Sequence, residues 1–435
     1  MNISKVTLEE MLIAREARVQ KQRQLIEKNG LPLVCFTMNI AGPVKNTPLV
    51  QFVFMWGANM LYGLFGDNIK ERDIQIEKTG CTAYYVIDCE ASEIKQKAVS
   101  IENSSEAARL YDIDVIDTDG KKLSRSEKRK CIICSEKAAV CARSRAHGLE
   151  QVQSKTDELL IKFAAEKLRE CACEALITEV EAVPKPGLVD ARGSGSHKDM
   201  DICTFKRSIA ALAPYFEEFA VCGMRAHEKT PDDIMQLLRQ IGIRAEKAMY
   251  EATDNVNTHK GMIFSLGLIL CDLGRRLMGE HTALCSLAMS GMDESFSRAM
   301  QTPVTHGEVQ YKKKGAMGIR GEAANGFPHA REAALRFAQY RKNFSVNDAA
   351  VLTLADIMRT LEDTNILHRG GTQALMFMHK QAEIITAMPE AERLTAMEKL
   401  DAEFIERNIS PGGCADTLAL AIFLDLLEKK YYYSF

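Results

Sequence analysis

The chain of 435 residues carries 56 basic and 59 acidic side chains, a formal net charge of −3. That length exceeds what one hydrophobic core ordinarily holds, so two or more domains are expected. The balanced charge excludes a global electrostatic pull toward nucleic acid or an anionic membrane, and any anion site must be local.

Thr7-Leu8-Glu9-Glu10 is a capping box, in which hydroxyl and carboxylate each satisfy an orphan N–H, and it predicts a charged helix as far as Asn29-Gly30. No basic segment with an apolar stretch and cleavage site precedes it. A cytoplasmic, reducing setting is therefore expected, with the thirteen cysteines unpaired. Apolar and β-branched runs from Leu33 to Ile40, Thr82 to Asp88 and Leu110 to Ile116 predict strands, alternating with helical or loop segments in a small α/β or α+β domain. The apolar stretch Leu49 to Phe65 holds Gln51, Gly57, Asn59 and Gly63 and falls short of the roughly 20 apolar residues of a bilayer span, so a buried helix is expected. Asp119-Gly120 is a turn closing the third run.

A charged, cysteine-bearing segment, Lys121 to Glu150, separates this texture from the next. Beyond it Leu160, Phe163, Ala164, Leu168, Cys171 and Ala175 repeat at helical spacing, and the helix must stop before Pro184. Further helix starts are marked by Thr230-Pro231-Asp232-Asp233, by Ser345 with Asp348, and by Ser410-Pro411. No alternating strand pattern and no solenoid period is visible. The expected architecture is multidomain: a small domain over residues 1–155 and a larger all-α domain over residues 156–435.

Residues two apart in a strand share a face, so Asp112 and Asp114 place their carboxylates side by side, roughly 6.5 Å apart along the backbone. Hard oxygens of this kind suit Mg²⁺ bound jointly with substrate phosphates; the alternative is a solvated acidic face. Asn39-Ile40-Ala41-Gly42-Pro43-Val44-Lys45-Asn46 follows a strand, where N–H groups and Lys45 are placed to cradle phosphates, or form a plain turn. Cys131-x-x-Cys134 with Cys141 and His147 has the ligand types of a Zn²⁺ site. Its gaps of six and five residues are not those of a standard finger, and reduced packing cysteines are the alternative.

In the helical half, Pro184-Lys185-Pro186-Gly187 fixes an extended loop from which Lys185 projects, followed by Asp190, His197, Asp199 and Asp201. Asn257-Thr258-His259-Lys260-Gly261 precedes an apolar helix, placing Lys260 and His259 at a helix N-terminus that favours an anion. Gly318-Ile319-Arg320-Gly321-Glu322-Ala323, Asp363-Thr364-Asn365 with Arg369-Gly370-Gly371, and Ser410-Pro411-Gly412-Gly413 with Asp416 repeat the pairing of small residues with charge. Glycine beside charge permits close approach of a ligand to the backbone.

The first set, Asn39 to Asn46 with Arg109-Leu110-Tyr111-Asp112-Ile113-Asp114-Val115 and Cys141-Ala142-Arg143-Ser144-Arg145-Ala146-His147, resembles the apo-citrate lyase phosphoribosyl-dephospho-CoA transferases over essentially residues 1–150. The resemblance implies a nucleotidyltransferase-like domain in which a serine hydroxyl of the citrate lyase acyl carrier (gamma) subunit attacks the α-phosphorus of a triphosphoribosyl-dephospho-CoA and pyrophosphate leaves. Asp112 and Asp114 would hold Mg²⁺, and Lys45, Arg109, Arg143 and Arg145 would counter phosphate charge.

The five later clusters, in their order, resemble triphosphoribosyl-dephospho-CoA synthases over about residues 160–430. That resemblance implies an all-helical fold and the reaction of ATP with 3′-dephospho-CoA to give 2′-(5″-triphosphoribosyl)-3′-dephospho-CoA and adenine. Such a displacement needs acid–base groups and carboxylates around the anomeric carbon and cations on the triphosphate. Asp199, Asp201, Glu322, Asp363 and Asp416 are expected to serve metal and acid–base roles, and Lys185, Lys260 and Arg320 the phosphates. Asp190, His197, Asn257, His259, Asn365 and Arg369 complete the expected binding set. The chain departs from the family pattern in reading Gly193-Ser194-Gly195-Ser196-His197 where an asparagine and then glycine-alanine-histidine are usual. His368 and Cys414 likewise stand where small residues are usual.

The two resemblances together imply one bifunctional enzyme. The rival readings are the same chemistry serving malonate decarboxylase or another protein acceptor, and a non-catalytic acyl-carrier-binding assembly factor. Charges placed beside glycines speak against the second.

Overall fold

Thr7 starts the first helix as its capping box requires: its Oγ1 accepts from the Glu10 N–H at 3.2 Å and the Glu10 carboxylate accepts from the Thr7 N–H at 2.8 Å. The helix, α1 (Leu8–Asn29), stops at Gly30 in the left-handed region. The computed structural model describes residues 5–134, 136–280 and 318–431. Two compact units emerge, one of Met1–Ala164 with Leu277–Gly279 and one of Ala165–Arg276 with Glu280–Phe435.

In the first unit, β1 (Leu33–Met38), β2 (Ile69–Glu77), β3 (Gly80–Ile87) and β4 (Tyr111–Ile116) form a sheet in the order β2-β3-β1-β4. All three pairings are antiparallel, which makes the unit α+β. The three runs expected as strands are strands. β2 went unforeseen because Lys70, Glu71, Arg72 and Asp73 disguise it; as an edge strand it needs no continuous apolar face.

One face of the sheet carries α2 (Pro48–Phe65) and α3 (Ala91–Glu102). Phe36 stacks on Phe54 with ring centres 4.7 Å apart, and Tyr111 meets Phe36 edge-on at 5.1 Å. The buried phenols donate to main-chain carbonyls, Tyr111 to Val53 at 3.0 Å and Tyr85 to Ala58 at 2.8 Å. A side chain at Gly57 would stand 2.8 Å from the Phe36 ring, so only glycine lets α2 settle so close. α2 is apolar and long enough to cross a bilayer by composition, yet Val53, Phe54, Ala58 and Leu61 are buried against the unit's own core. On the other face α1 packs Leu25 and Ile26 onto Leu33, Cys35, Tyr84, Val86 and Ile116. Asp112 and Asp114 stand on this face, opposite Thr37 and Cys35 in register. After β4 the chain turns at Asp117–Gly120 and runs through a polar segment into the short α4 (Ala138–Ser144).

The helix α5 (Leu149–Glu181) begins in the first unit and ends in the second. Its predicted stripe, Leu160, Phe163, Ala164, Leu168, Cys171 and Ala175, is buried throughout. The rest of the second unit is helical, with no strand among its described residues: α6 (Ile202–Arg225), α7 (Pro231–Ala252), α8 (Lys260–Leu277), α9 (Gly318–Ala324), α10 (Pro328–Tyr340), α11 (Val346–Thr360), α12 (Thr364–Arg369), α13 (Gly371–Thr386), α14 (Glu390–Glu406) and α15 (Gly412–Tyr431). Thr230 and Ser345 cap α7 and α11 as their sequence positions predict. α15 is apolar nearly all round, burying Leu418 through Leu424, and α10 and α11 pack on it.

Candidate active sites

The loop after α5 and the first turns of α8, α9, α12 and α15 meet around one cavity of about 1750 Å³ in the second unit. Lys185, His197, Asp199, Asn257, His259, Lys260, Arg320, Glu322, Asp363, Asn365, Arg369 and Asp416 all line it. All five polar clusters singled out in the helical half thus converge. Their roles within it divide sharply.

Lys185 is fully buried, and its Nζ pairs with Glu179 Oε1 at 2.5 Å. Rather than projecting, the ammonium neutralises a carboxylate near the end of α5. Burial pushes the Glu179 carboxyl up, and Lys185 opposes that shift. Asp190 turns away from the cavity: its oxygens accept from the N–H groups of Lys185 (3.3 Å), Arg192 (2.8 Å) and Gly193 (3.2 Å), closing the loop on itself. Asp201 caps α6 through Thr204 and lies off the cavity, so its expected acid–base role is replaced by a structural one. Asp199 is exposed on the cavity wall, 3.9 Å from His197 Nδ1. His197 Nε2 meets Ser410 Oγ at 2.8 Å, so that hydroxyl serves the histidine rather than a helix cap, and α15 starts two residues later at Gly412.

His259 cannot grip a triphosphate as a cation. It is buried, edge-on to Phe205, and its Nδ1 lies 2.7 Å from Ser208 Oγ, which also accepts from Thr258 Oγ1 at 2.7 Å. Burial, aided by the Lys185 charge, lowers it to about 3, so it is neutral at pH 7. Lys260 is half-buried and paired with Glu246.

Asp363 is buried as the N-cap of α12, accepting from Asn365 N (2.8 Å) and Ile366 N (3.2 Å), while its second oxygen accepts from Cys414 N at 2.9 Å. Burial raises its carboxyl against these N–H donors, which favour the ionised form. Asp416, on the first turn of α15, lies against Gly261 at the start of α8. Burial first, then the nearby Glu179 and Asp363 charges, hold its carboxyl well above the usual carboxylate range. A group raised in the folded state stabilises the fold below its unfolded value, and that contribution is lost as pH rises through the raised one. Asp416→Asn, without nucleotide, should therefore melt no higher than wild type near pH 4 and about 2–4 °C higher at pH 8. Thermal denaturation across that range measures it, and a gap independent of pH would count against the crowding of these carboxylates.

Glu322 on α9 and His329 on α10 form a pair absent from the sequence reading. His329 Nδ1 lies 2.6 Å from Glu322 Oε1, and the His329 N–H donates to Oε2 at 3.3 Å. An ionised carboxylate only accepts, so in the neutral ring Nδ1 would carry the proton and Nε2 would be the acceptor. Both residues line the cavity.

In the first unit Asp112 and Asp114 are half-exposed on one face of β4. Asp112 Oδ1 accepts from Arg129 at 3.2 Å, and Asp114 Oδ2 pairs with Lys122. Arg129 also pairs with the buried Glu102, whose Oε1 accepts from the Ile113 N–H at 3.0 Å. The Cys35 thiol lies within electrostatic reach of Arg18 of α1 as well as of both aspartates. Lys45 does not project toward a phosphate: its Nζ donates to the Ile40 carbonyl at 2.5 Å, closing its own turn. Arg109 likewise donates to the carbonyls of Lys130 (2.9 Å) and Cys131 (2.5 Å). Arg143 and Arg145 are exposed. Cys131, Cys134, Cys141 and His147 bring their ligand atoms within 4.8 Å of one another. Burial works against ionising Cys131, but the Cys134 and Ile133 N–H groups bring its thiol down to about 7.

Residues 6–163 match the family of apo-citrate lyase phosphoribosyl-dephospho-CoA transferases, and residues 165–435 that of ATP:dephospho-CoA triphosphoribosyl transferases. Protein CitXG of Haemophilus influenzae is 37% identical, over 97% of this chain and 96% of its own. The chain belongs to the CitXG family. Protein CitXG of Leuconostoc mesenteroides subsp. cremoris is 33% identical over 97% of each chain. The 2-(5''-triphosphoribosyl)-3'-dephosphocoenzyme-A synthase of Haemophilus ducreyi is 35% identical, covering 67% of this chain and 98% of its own. In this CitXG member the residues that sequence reasoning missed are Glu179, Glu246, His329, Glu102 and Arg129. Glu179 left a signal, since it continues the buried stripe of α5 one turn past Ala175, where a carboxylate has no packing role. His368, one of the family departures, lines the cavity, while Cys414 is buried and donates its N–H to Asp363.

Proposed function

We propose that this protein builds and attaches the citrate lyase prosthetic group, with residues 156–435 as the synthase and residues 1–155 as the transferase. The observation that carries the reading is the meeting of five separate polar clusters on one cavity of the helical unit, in a chain similar to both enzyme families along its length. The substrates are ATP and 3′-dephospho-CoA, and the acceptor is the acyl carrier subunit of apo-citrate lyase. The names of the matched transferase family give no support to malonate decarboxylase as the destination. A cytoplasmic setting fits these metabolites.

In the synthase, the C1′–N9 bond of ATP breaks as the 2′-hydroxyl of dephospho-CoA bonds to C1′. His329 Nε2 takes the hydroxyl proton, with Glu322 holding the ring and stabilising the imidazolium that forms. Asp416, whose carboxyl is held well above the usual carboxylate range, gives its proton to the departing adenine. Lys260, Arg320 and Arg369 meet the triphosphate, and Asn257, Asn365, His197 and Asp199 its sugar and the acceptor. Lys185, Asp190 and Asp363 position the loops.

In the transferase, of nucleotidyltransferase type, the carrier serine Oγ bonds to the α-phosphorus as the bond to pyrophosphate breaks, and the hydroxyl proton passes to solvent. Asp112 and Asp114 share a face, and among the described residues each has one oxygen engaged by a side-chain cation, a donor set that fits Mg²⁺. Held by these two carboxylates, Mg²⁺ would offset the charge of the departing pyrophosphate. Arg129, Lys122 and Arg18 add positive charge around the phosphates.

Purified protein given ATP, Mg²⁺ and dephospho-CoA should release adenine, read by chromatography; added apo carrier should then gain the mass of the prosthetic group. No adenine, or adenine without the mass gain, would overturn the corresponding half. His329→Asn should slow adenine release about 10²-fold and leave attachment of pre-made triphosphoribosyl-dephospho-CoA unchanged. A wild-type rate in this variant would remove the histidine from the proton path.

A further inference from the structure

From Lys121 to Glu150 the chain has almost nothing apolar to hold it. Among the described residues of that stretch only Cys131 and Cys141 are buried. Order there comes from the backbone: Cys131 N donates to Glu136 O at 2.7 Å, Ala138 N to Arg129 O at 2.8 Å, and Lys130 bridges Lys137. This tight hairpin carries Cys131 and Cys134; α4 supplies Cys141, and His147 follows just after it. Cys134 Sγ lies 3.5 Å from Cys141 Sγ and 3.3 Å from His147 Nε2. A tetrahedral Zn²⁺ with bonds of about 2.3 Å to sulfur and 2.0–2.1 Å to nitrogen spaces sulfur from nitrogen by about 3.6 Å and sulfur from sulfur by about 3.8 Å. Both spacings fall close to these values, all four ligand atoms lie within 4.8 Å of one another, and the cysteines are not bonded to each other.

The geometry points to a structural Zn²⁺ site formed by Cys131, Cys134, Cys141 and His147, which fastens the segment that brings Arg129 to Asp112 and Glu102. Three thiolates around a dication leave one negative charge, so the neighbouring Lys128, Arg129 and Lys130 are favourable to the loaded site rather than opposed to it. All four positions are taken by protein, which marks a structural rather than a catalytic ion. Arg109 ties the same hairpin to the start of β4 through the Lys130 and Cys131 carbonyls. The ion thus acts on the transfer site through Arg129 and touches no substrate.

The full-length protein, purified without a metal-binding tag, should contain about one zinc per chain by elemental analysis. Exchange for Co²⁺ should give the intense visible bands of tetrahedral cobalt with a thiolate-to-metal transition. Cys134→Ser should lose the metal at least tenfold and slow attachment, while adenine release stays at the wild-type rate. Chelation of the wild-type protein should do the same, reversed by added Zn²⁺, which covers the case in which the serine variant fails to fold. Zinc retained in Cys134→Ser, a disulfide among these cysteines in freshly purified protein, or metal-free protein with full attachment activity would overturn the proposal. The attachment readout rests on the transferase reading of the first unit, whereas metal content and the cobalt spectrum do not, so the two can fail separately.

Discussion

Asp112→Asn is expected to slow attachment of the prosthetic group to the apo carrier by about 10²–10³-fold, while adenine release from ATP and dephospho-CoA continues at the wild-type rate. The substitution keeps the size and hydrogen-bonding shape of the side chain but removes one of the two half-exposed negative charges on β4. It also leaves Arg129 facing a neutral amide at a place where it now shares its charge between Asp112 and Glu102. The fold should hardly notice, because Asp112 is half-exposed and such pairs contribute about 0–1 kcal/mol. Supplying triphosphoribosyl-dephospho-CoA made by wild-type enzyme isolates the second step, which mass spectrometry of the carrier then follows. Equal loss of both steps would contradict two separable sites.

Lys185→Met should have the largest effect on stability, about 3–5 kcal/mol. The methionine fills most of the space, but Glu179 is left buried without its counter-charge and must either take up a proton or draw water into the core. The transition of the helical unit should drop accordingly in thermal denaturation, and adenine release should fall with it. Adding Glu179→Gln removes the orphaned charge, so Lys185→Met/Glu179→Gln should recover most of the lost melting temperature. If the double variant is no more stable than the single, the pair does not carry the coupling that its geometry implies.

The architecture was legible where one residue type has one physical reason to be present. The Thr7 box, the Thr230 and Ser345 caps and the buried stripe of α5 each followed from local chemistry and stand as expected. β2 was hidden, since an edge strand with charged side chains has no signature in apolar alternation. For the cavity, sequence supplied the neighbourhoods but not the orientations. Lys185, Asp190 and Asp201 carry the right charges in the right loops, yet their partners decide their roles: Glu179 for the lysine, three main-chain N–H groups for Asp190, Thr204 for Asp201. The same holds for Lys45 and Arg109, whose cationic ends are spent on main-chain carbonyls. The Glu322–His329 pair joins two helices, and no spacing rule within either helix announces it.

Beside Asp416 the cavity is lined by three glycines that leave no room for a side chain of their own. A methyl on Gly261 would overlap the Asp416 carboxylate, one on Gly412 would stand 2.7 Å from the Asn365 amide, and one on Gly413 3.0 Å from an Asp363 oxygen. No side chain can therefore be added at these three glycines without displacing a neighbouring polar group. Met235, Gln236, Arg239 and Ile243 of α7 also line the cavity, so there its shape and polarity are set by side chains rather than by glycine main chain.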